Sequence, residues 1–212
     1  ARMPRSLILE PTRELAAQVA ESFERYGKYH RLSMALLIGG VSFDDQEKKL
    51  DRGVDVLIAT PGRLLDHFER GKLMLTGVQI LVIDEADRMF DMGFLLDLRR
   101  ILKDVPQRRQ TLLFSATMPD EVRGLAHELL HNAVQCSVAP SRPAETVDHA
   151  LYPVAQHLKS LLLLRVLEEM KDESESVLVF TRTKHRAEKL AKFLRAEGHD
   201  TASLQGNLSQ NR

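Results

Sequence analysis

Residues 80–91 read ILVIDEADRMFD, a short apolar run that ends in a cluster of acids. The run Ile80–Ile83 shows no alternation of polar and apolar residues, which is typical of a strand buried on both faces. Asp84, Glu85 and Asp87 follow within four positions, where this strand is predicted to end. An acidic helix start would explain the carboxylates, because negative charge stabilises the N-terminus of a helix. A chemical function for them therefore depends on what accompanies them in the chain.

The same pattern recurs along the chain. Six apolar runs are each followed at once by a polar or glycine-rich turn, and helical patterns lie between them. This alternation predicts an α/β fold with right-handed crossovers and a parallel sheet. Ligands of such sheets bind at the carboxyl ends of the strands, where all six turns are expected. The six segments are SLILEPTRE, ALLIGGVS, DVLIATPGR, ILVIDEAD, TLLFSAT and VLVFTRTK.

Three helix starts are indicated by their residues. Thr60 and Pro61 suit an N-cap and a first helical residue, and Pro119 suits the first turn of a later helix. Ser42 followed by Asp45 resembles a capping box. We therefore expect helices to begin at these three places.

A boundary between two domains is predicted near residue 140. The stretch APSRPAETVDH at 139–149 has two prolines and no apolar periodicity, which is typical of a linker. The chain opens at Ala1 without an initiating methionine and closes at Arg212, so we expect a fragment of a longer protein. We predict a first domain at 1–139, a linker at 140–149 and a second domain at 150–212. The second domain is expected to contain helices at 156–170 and 184–196 and strands at 177–180 and 201–204.

The composition is that of an ordinary globular protein, with 43% hydrophobic and 28% charged residues among 212. The 30 Lys and Arg balance the 30 Asp and Glu, so any contact with a polyanion must be local. The single cysteine, Cys136, excludes an intrachain disulfide, and we predict that it is a small buried residue. No apolar run approaches the roughly 18 residues of a membrane span. We expect a cytoplasmic protein.

The acids of ILVIDEAD suit a definite chemistry. Asp84, at the end of a buried strand, is well placed to hold Mg²⁺ through water molecules, because this ion keeps most of its hydration. Glu85 beside it could accept a proton from attacking water. Asp87 lies one helical turn beyond Asp84.

Further motifs accompany the tetrad DEAD at 84–87 in a fixed order. The set resembles the motifs of DEAD-box ATP-dependent RNA helicases of superfamily 2, and DRMFDMGF at 87–94 is similar to their bacterial members. The resemblance runs along nearly the whole chain. It implies a RecA-like first domain truncated at its N-terminus, a linker, and the start of a second RecA-like domain. The companion motifs are PTRELAAQ (11–18), GG (39–40), TPGR (60–63), SAT (115–117), VFTRT (179–183) and QGNLSQNR (205–212).

The resemblance implies ATP and Mg²⁺ as cofactors. Asp84 and Glu85 would be the Walker B pair, which coordinates the metal and activates the water that attacks the γ-phosphate. Asp87 would hydrogen-bond to Ser115 and Thr117, and so tie the nucleotide state to domain closure and strand separation.

The resemblance also implies an RNA path. Glycines and helix N-termini present backbone amides to phosphates, and Arg13 and Arg63 would add charge-assisted hydrogen bonds. Only 5% of the residues are aromatic and none is tryptophan, so we expect recognition of the sugar-phosphate backbone with little sequence preference. Accessory protein partners are not indicated. The residues implied in RNA binding are Pro11, Thr12, Arg13, Gly39, Gly40, Thr60, Pro61, Gly62 and Arg63 in the first domain and Thr183, Lys184 and Gly206 in the second.

The chain departs from the family pattern in three respects. It has no G-x-x-x-x-G-K-[ST] phosphate loop, which the family places upstream of PTREL together with the adenine-reading Q motif. The later arginine motifs of the family would lie beyond Arg212. Gln205 stands where many members have histidine. We therefore expect no ATP hydrolysis by the chain as given, and a non-catalytic RNA-binding module remains an alternative.

A second alternative comes from HELLH at 127–131, which matches the H-E-x-x-H pattern of zinc metalloproteases. His127 and His131 would bind Zn²⁺, and Glu128 would be the general base. The helical pattern places both histidines on the face opposite the apolar stripe, where we expect them to be solvated. The stripe consists of Val122, Leu125, Ala126, Leu129, Leu130 and Ala133.

Overall fold

A computed structural model describes residues 3–138, 147–170 and 176–205 of the chain. The chain divides into two compact units, Ala1–Cys136 and Ser137–Arg212. The predicted linker at 140–149 lies largely outside the described residues, which exclude 139–146.

The first unit is built on a parallel sheet. Its strand order is β2-β3-β1-β4-β5, and every neighbouring pair is parallel. The predicted α/β fold is confirmed, because five of the six apolar runs form these strands. The strands described in this unit are β1 (Ser6–Leu9), β2 (Met34–Leu37), β3 (Val56–Ala59), β4 (Ile80–Ile83) and β5 (Gln110–Leu113).

Helices cover both faces of this sheet. One face carries Leu7, Leu9 and Ile83 and packs mainly against α3 to α6, while the other carries Ile8 and Ile58 and packs against α1. No helix within the described parts of the chain is long and apolar enough to span a bilayer. The helices of this unit are α1 (Arg13–Tyr26), α2 (Phe43–Arg52), α3 (Pro61–Glu69), α4 (Ala86–Asp91), α5 (Leu95–Asp104) and α6 (Asp120–Leu129).

The three predicted helix starts are found, but the capping box is not. Thr60 is the N-cap of α3 with Pro61 as its first residue, and Pro119 is the N-cap of α6. Ser42 is the N-cap of α2, but its side chain makes no capping hydrogen bond. Acidic residues in the first turn of α2, including Asp45, complement the helix dipole instead.

The second unit contains the two predicted helices. A 3-10 turn, Gln156–Leu158, leads into α7 (Lys159–Glu169), and α8 spans Lys184–Ala196. The strands predicted at 177–180 and 201–204 are wrong for this structure, since both segments are described and neither is a strand. Phe180, in the first of them, is largely exposed. Two short segments cannot form a stable sheet alone, because each strand needs paired neighbours and a covered apolar face.

Cys136 was predicted to be buried, and this prediction is wrong. Its side chain is exposed, and it has no disulfide partner. It lies beyond the end of α6 in a segment without helix or strand, where no packed layer covers it.

Candidate functional site

Three residues lie side by side at the carboxyl edge of the sheet. Leu9 of β1 pairs with Ala59 of β3 and with Ile83 of β4. This pairing extends one residue further, since the Glu10 amide donates to the Ala59 carbonyl at 3.0 Å and the Asp84 amide donates to the Leu9 carbonyl at 3.1 Å. The resulting row, called the edge row, consists of Thr60, Glu10 and Asp84.

Asp84 and Glu85 form the turn between β4 and α4. Glu85 has φ 47° and ψ 53°, a left-handed conformation that is uncommon for a residue with a side chain. The Asp84 Oδ1 atom accepts a hydrogen bond from the Glu85 amide at 2.8 Å, and the Glu85 carbonyl accepts one from Met89 at 2.9 Å. These bonds hold the strained turn, so the chain changes from strand to helix within two residues and keeps both carboxylates at the edge.

Asp87 lies at the centre of a hydrogen-bond network with the SAT segment. Its Oδ2 atom accepts from the Thr117 hydroxyl at 2.7 Å and from the Thr117 amide at 2.9 Å. The Asp87 amide donates to the Ser115 hydroxyl at 3.1 Å, and that hydroxyl donates to the Thr117 carbonyl at 2.7 Å. Burial acts to raise the pKa of Asp87, but the hydrogen bonds from Thr117 outweigh it and the pKa is lowered.

Glu10 is a member of this site that the sequence analysis missed. Its side chain is only 1% exposed, and its Oε1 atom has no hydrogen-bond partner among the described residues. Burial, followed by the charges of Asp84 and Glu85, raises the pKa of Glu10 from its usual 4.5 to about 7. The available signal was an acid at the end of the apolar run SLILE, directly before PTRE.

The loops that follow β1 and β2 interlock through Arg13. Its Nη1 atom donates to the Gly39 carbonyl at 3.5 Å, and its Nη2 atom lies 3.6 Å from the Glu14 carboxylate. Gly40 has φ 78°, and a Cβ atom there would lie 2.5 Å from Arg13 Nη1. A side chain at position 40 would therefore strain the left-handed backbone and would force the end of the Arg13 side chain to shift.

Arg63 ties the loop after β3 to the loop after β2. Its guanidinium donates to the Val41 carbonyl at 3.0 Å and lies 4.0 Å from the centre of the Phe43 ring. The Arg63 side chain is only 11% exposed and approaches the Asp66 carboxylate to 3.7 Å. Much of its hydrogen-bonding and stacking capacity is thus used to fix the loops.

A buried polar pair, also missed by the sequence analysis, supports these loops. The Gln46 amide group donates to the Ile38 carbonyl at 3.0 Å, so its Oε1 atom is the acceptor for His67 Nε2 at 2.8 Å. Burial, with a contribution from the nearby Arg63 charge, lowers the pKa of His67. The imidazole is therefore kept neutral between α2 and α3.

The remaining predicted RNA residues occupy helix starts. Thr12 caps α1 by accepting from the Leu15 amide at 3.3 Å, and Thr60, Pro61 and Gly62 lie at the start of α3. In the second unit Thr183 caps α8, where it accepts from the Arg186 amide at 3.3 Å, and Lys184 is the first residue of that helix. Gly206 lies outside the described residues.

The zinc metalloprotease hypothesis is wrong for this structure. α6 ends at Leu129, so His131 is not on the same helix as His127, and both imidazoles are exposed. Glu128 is bound by Arg99 through two hydrogen bonds of 2.7 and 3.3 Å. Within residues 3–138, 147–170 and 176–205, no group of three His, Cys, Asp or Glu side chains could hold a metal ion.

Comparison with known proteins identifies the family. The model of the family described as DEAD/DEAH box helicase matches residues 1–125. ATP-dependent RNA helicase RhlB of Pseudoalteromonas atlantica is 39% identical over 100% of this chain and 50% of its own length. ATP-dependent RNA helicase DeaD of Mycobacterium tuberculosis is 42% identical over 99% of this chain and 37% of its own length.

A solved structure agrees with this match. The crystal structure of a DEAD box protein from the hyperthermophile Methanococcus jannaschii is 33% identical and aligns with a TM-score of 0.62. The alignment covers 99% of this chain and 56% of that one. The chain spans about half the length of the curated relatives it matches. With a RecA-like sheet, the DEAD tetrad after β4 and the SAT segment bound to it, the chain belongs to the DEAD/DEAH box helicase family.

Proposed function

We propose that this chain is the central part of an ATP-dependent RNA helicase, which couples ATP hydrolysis to RNA binding and local duplex separation. The observation that carries the proposal is that these acids and the loops suited to phosphates lie together at the carboxyl edge of the sheet. Asp84 and Glu85 lie there beside the network of Asp87, and the loops that contain Arg13 and Arg63 lie at the same edge. One edge thus carries both the acids suited to a nucleotide and the loops suited to phosphates.

The residues at this edge suit hydrolysis of a phosphoanhydride. Asp84 would hold Mg²⁺ through its water shell, which suits a site with few protein carboxylates. When bound, the ion would neutralise charge that develops on the phosphates. Glu85, in its left-handed turn, would accept a proton from the attacking water. Hydrogen bonds from Thr117 help to lower the pKa of Asp87, and they would make the position of α4 depend on the SAT segment.

The RNA-binding loops suit recognition of a sugar-phosphate backbone. Helices α1 and α3 start at this edge, and their first amides would face phosphate oxygens. Arg13 and Arg63 would add positive charge while they hold the loops in shape. Such contacts position a strand without reading its bases.

The second unit would supply further RNA contacts through Thr183, Lys184 and Gly206. We propose domain boundaries at 1–139 and 150–212, with 140–149 as the linker, and a second RecA-like domain that is only partly present in this chain. We also propose a cytoplasmic location, in keeping with the bacterial RNA helicases among the relatives.

The proposal is tested in the full-length protein with Thr60→Ala and Arg63→Ala. Each variant is expected to weaken binding of a labelled single-stranded RNA by about tenfold, because it removes a proposed contact between the RNA and the loop after β3. RNA-stimulated ATPase should fall in parallel. Arg25→Ala is the matched control, since Arg25 lies in the last turn of α1, at the other end of the helix. It should bind RNA as the wild type does.

Two outcomes would count against the proposal. Unchanged RNA affinity in both loop variants would contradict the assignment of that loop. Glu85→Gln should abolish ATP hydrolysis while RNA binding persists. If the wild-type full-length protein binds RNA but hydrolyses no more ATP than Glu85→Gln, the protein is a non-catalytic RNA-binding module.

A further inference from the structure

Glu10 occupies the middle of the edge row. Its neighbour on one side is Thr60, which begins the RNA loop after β3, and its neighbour on the other side is Asp84. Because the three residues lie in register on adjacent strands, their side chains lie on the same face of the sheet. One buried side chain therefore adjoins both the proposed RNA site and the proposed nucleotide site.

The chemistry of Glu10 is unusual for its position. The residues before it on this face of the inner strands are apolar, namely Ile8, Ile58 and Val82. Glu10 is as buried as Ile8 and Ile58, yet its Oε1 atom has no partner among the residues described. Burying a polar group without a partner is costly, so packing alone would favour an apolar residue here. A costly group that is retained at an active edge indicates a functional role.

The backbone connects Glu10 directly to the RNA loop after β1. Its amide is held by the Ala59 carbonyl, and the next residue, Pro11, restricts Glu10 to an extended conformation. Thr12 then caps α1, and Arg13 reaches the Gly39 carbonyl. Because this short segment is fixed at each step, a displacement of Arg13 on RNA binding would be passed to Glu10.

Electrostatics connects Glu10 to the nucleotide site. The charges of Asp84 and Glu85 act on Glu10, and the charge of Glu10 must act equally on them. Asp84 lies beside Glu10 in the edge row, and like charges repel more strongly as the distance between them falls. A small movement of Glu10 would therefore alter the field at both carboxylates.

We propose that Glu10 is a positioning residue that couples the RNA loops to Asp84 and Glu85. RNA at the loops after β1 and β3 moves the Glu10 carboxylate relative to these two acids, and nucleotide bound beside them moves it in return. This inference rests on the proposed function, since it assumes that RNA and nucleotide bind the same edge. Glu10 itself touches neither.

The test is the thermodynamic coupling between the two ligands in the full-length protein. The dissociation constant of a fluorescent, non-hydrolysable ATP analogue with Mg²⁺ is measured with and without saturating single-stranded RNA. The ratio of the two constants is the coupling factor, and RNA affinity measured with and without the analogue must give the same factor. Glu10→Gln keeps the shape of the side chain and removes its charge, so we expect the factor to fall by about threefold or more.

Asp55→Asn is the matched control. Asp55 is 4% exposed and lies at the start of β3, at the opposite edge of the sheet, where it accepts from the Ser33 amide at 3.0 Å and the Ser33 hydroxyl at 2.9 Å. Asp55→Asn removes a charge that supports the fold, and it leaves the edge row unchanged. The coupling factor of this variant should therefore equal that of the wild type. Thermal unfolding verifies that each variant is folded, and Glu10→Met provides a second uncharged variant of similar volume.

The outcomes separate this inference from the proposed function. A wild-type coupling factor in Glu10→Gln and Glu10→Met overturns the role of Glu10 and leaves the helicase proposal standing. An equal loss of coupling in Asp55→Asn also overturns it, because general destabilisation then explains the effect. If the wild-type protein binds no nucleotide, or if RNA does not change the affinity for the analogue, the proposed function fails together with the inference.

Discussion

Two acids at one edge of the sheet show how surroundings decide the chemistry of a carboxyl group. Hydrogen bonds from Thr117 keep the pKa of Asp87 low, although burial opposes this. Glu10 has no such donors at Oε1, and burial with the charges of Asp84 and Glu85 raises its pKa to about 7. The same functional group is thus held ionised at one position and readily protonated at the other.

Glu10→Gln is expected to stabilise the protein at alkaline pH. The pKa of Glu10 in the folded state exceeds the usual 4.5, so the folded state binds the proton more tightly than the unfolded state does. As the pH rises from about 4.5 through 7, the free energy of unfolding of the wild type should therefore fall relative to that of Glu10→Gln. The total change is about 3 kcal/mol. Urea unfolding at pH 5 and pH 8 measures this difference. An equal difference between the two proteins at both pH values would contradict the prediction.

The sequence identified part of this site. Asp84, Glu85 and Asp87 could be found because strand end, acids and helix start are adjacent in the chain. The burial of Glu10 and His67 could not be predicted, because it arises from elements distant in sequence. The sequence alone does not distinguish a buried acid from an exposed one.

At the scale of elements, the three loops after β1, β2 and β3 act as one structure. Arg13 joins the first loop to the second, and Arg63 joins the third to the second. A side chain at Gly40 in the second loop would meet the Arg13 guanidinium. Changing one loop should therefore disturb its neighbours.

Gly40→Ala is expected to weaken RNA binding by about fivefold, or roughly 1 kcal/mol. The new methyl group would strain a left-handed backbone and displace Arg13, which lies 2.5 Å from the Cβ position. Gly71→Ala is the control, because Gly71 also has a positive φ of 68° but has nothing within 4 Å of its Cβ position. Fluorescence anisotropy with labelled RNA compares the two. Equal losses of affinity would show that backbone strain alone is responsible.

The strands of the first unit could be predicted because each apolar run finds paired neighbours in the same sheet. The runs at 177–180 and 201–204 have similar residues, but the described part of the second unit offers them no such sheet. Helices α7 and α8 could still be predicted, since helical hydrogen bonds are local to the segment. Strand prediction fails where the partner is not in place, because pairing is a property of two segments.

At the scale of the whole molecule, charge is balanced, and the proposed RNA contacts depend on a few local cations. The 30 basic and 30 acidic residues give no net charge, so the chain exerts no long-range attraction on nucleic acid. The proposed phosphate contacts come from Arg13, Arg63 and Lys184. A few local charges would therefore account for the electrostatic part of RNA binding.

The salt dependence of RNA binding by this chain is expected to be shallow. Three cations that neutralise phosphates give a slope of about −2 for the logarithm of the binding constant against the logarithm of salt concentration. Titrations of labelled single-stranded RNA across a series of potassium chloride concentrations measure this slope. A slope steeper than about −5 would show that further basic residues contact the RNA.

The left-handed turn at Glu85 has an evolutionary consequence. A side chain in this conformation costs about 1 kcal/mol, a cost that glycine at this position would avoid. The fold therefore gains nothing from glutamate here, and only selection for the carboxylate would maintain it. A relative that carries glycine at this position would relieve the strain and would lack the proposed proton acceptor. If Glu85 has the proposed role, the residue at this one turn would distinguish catalytic members of the family from members that keep only the fold.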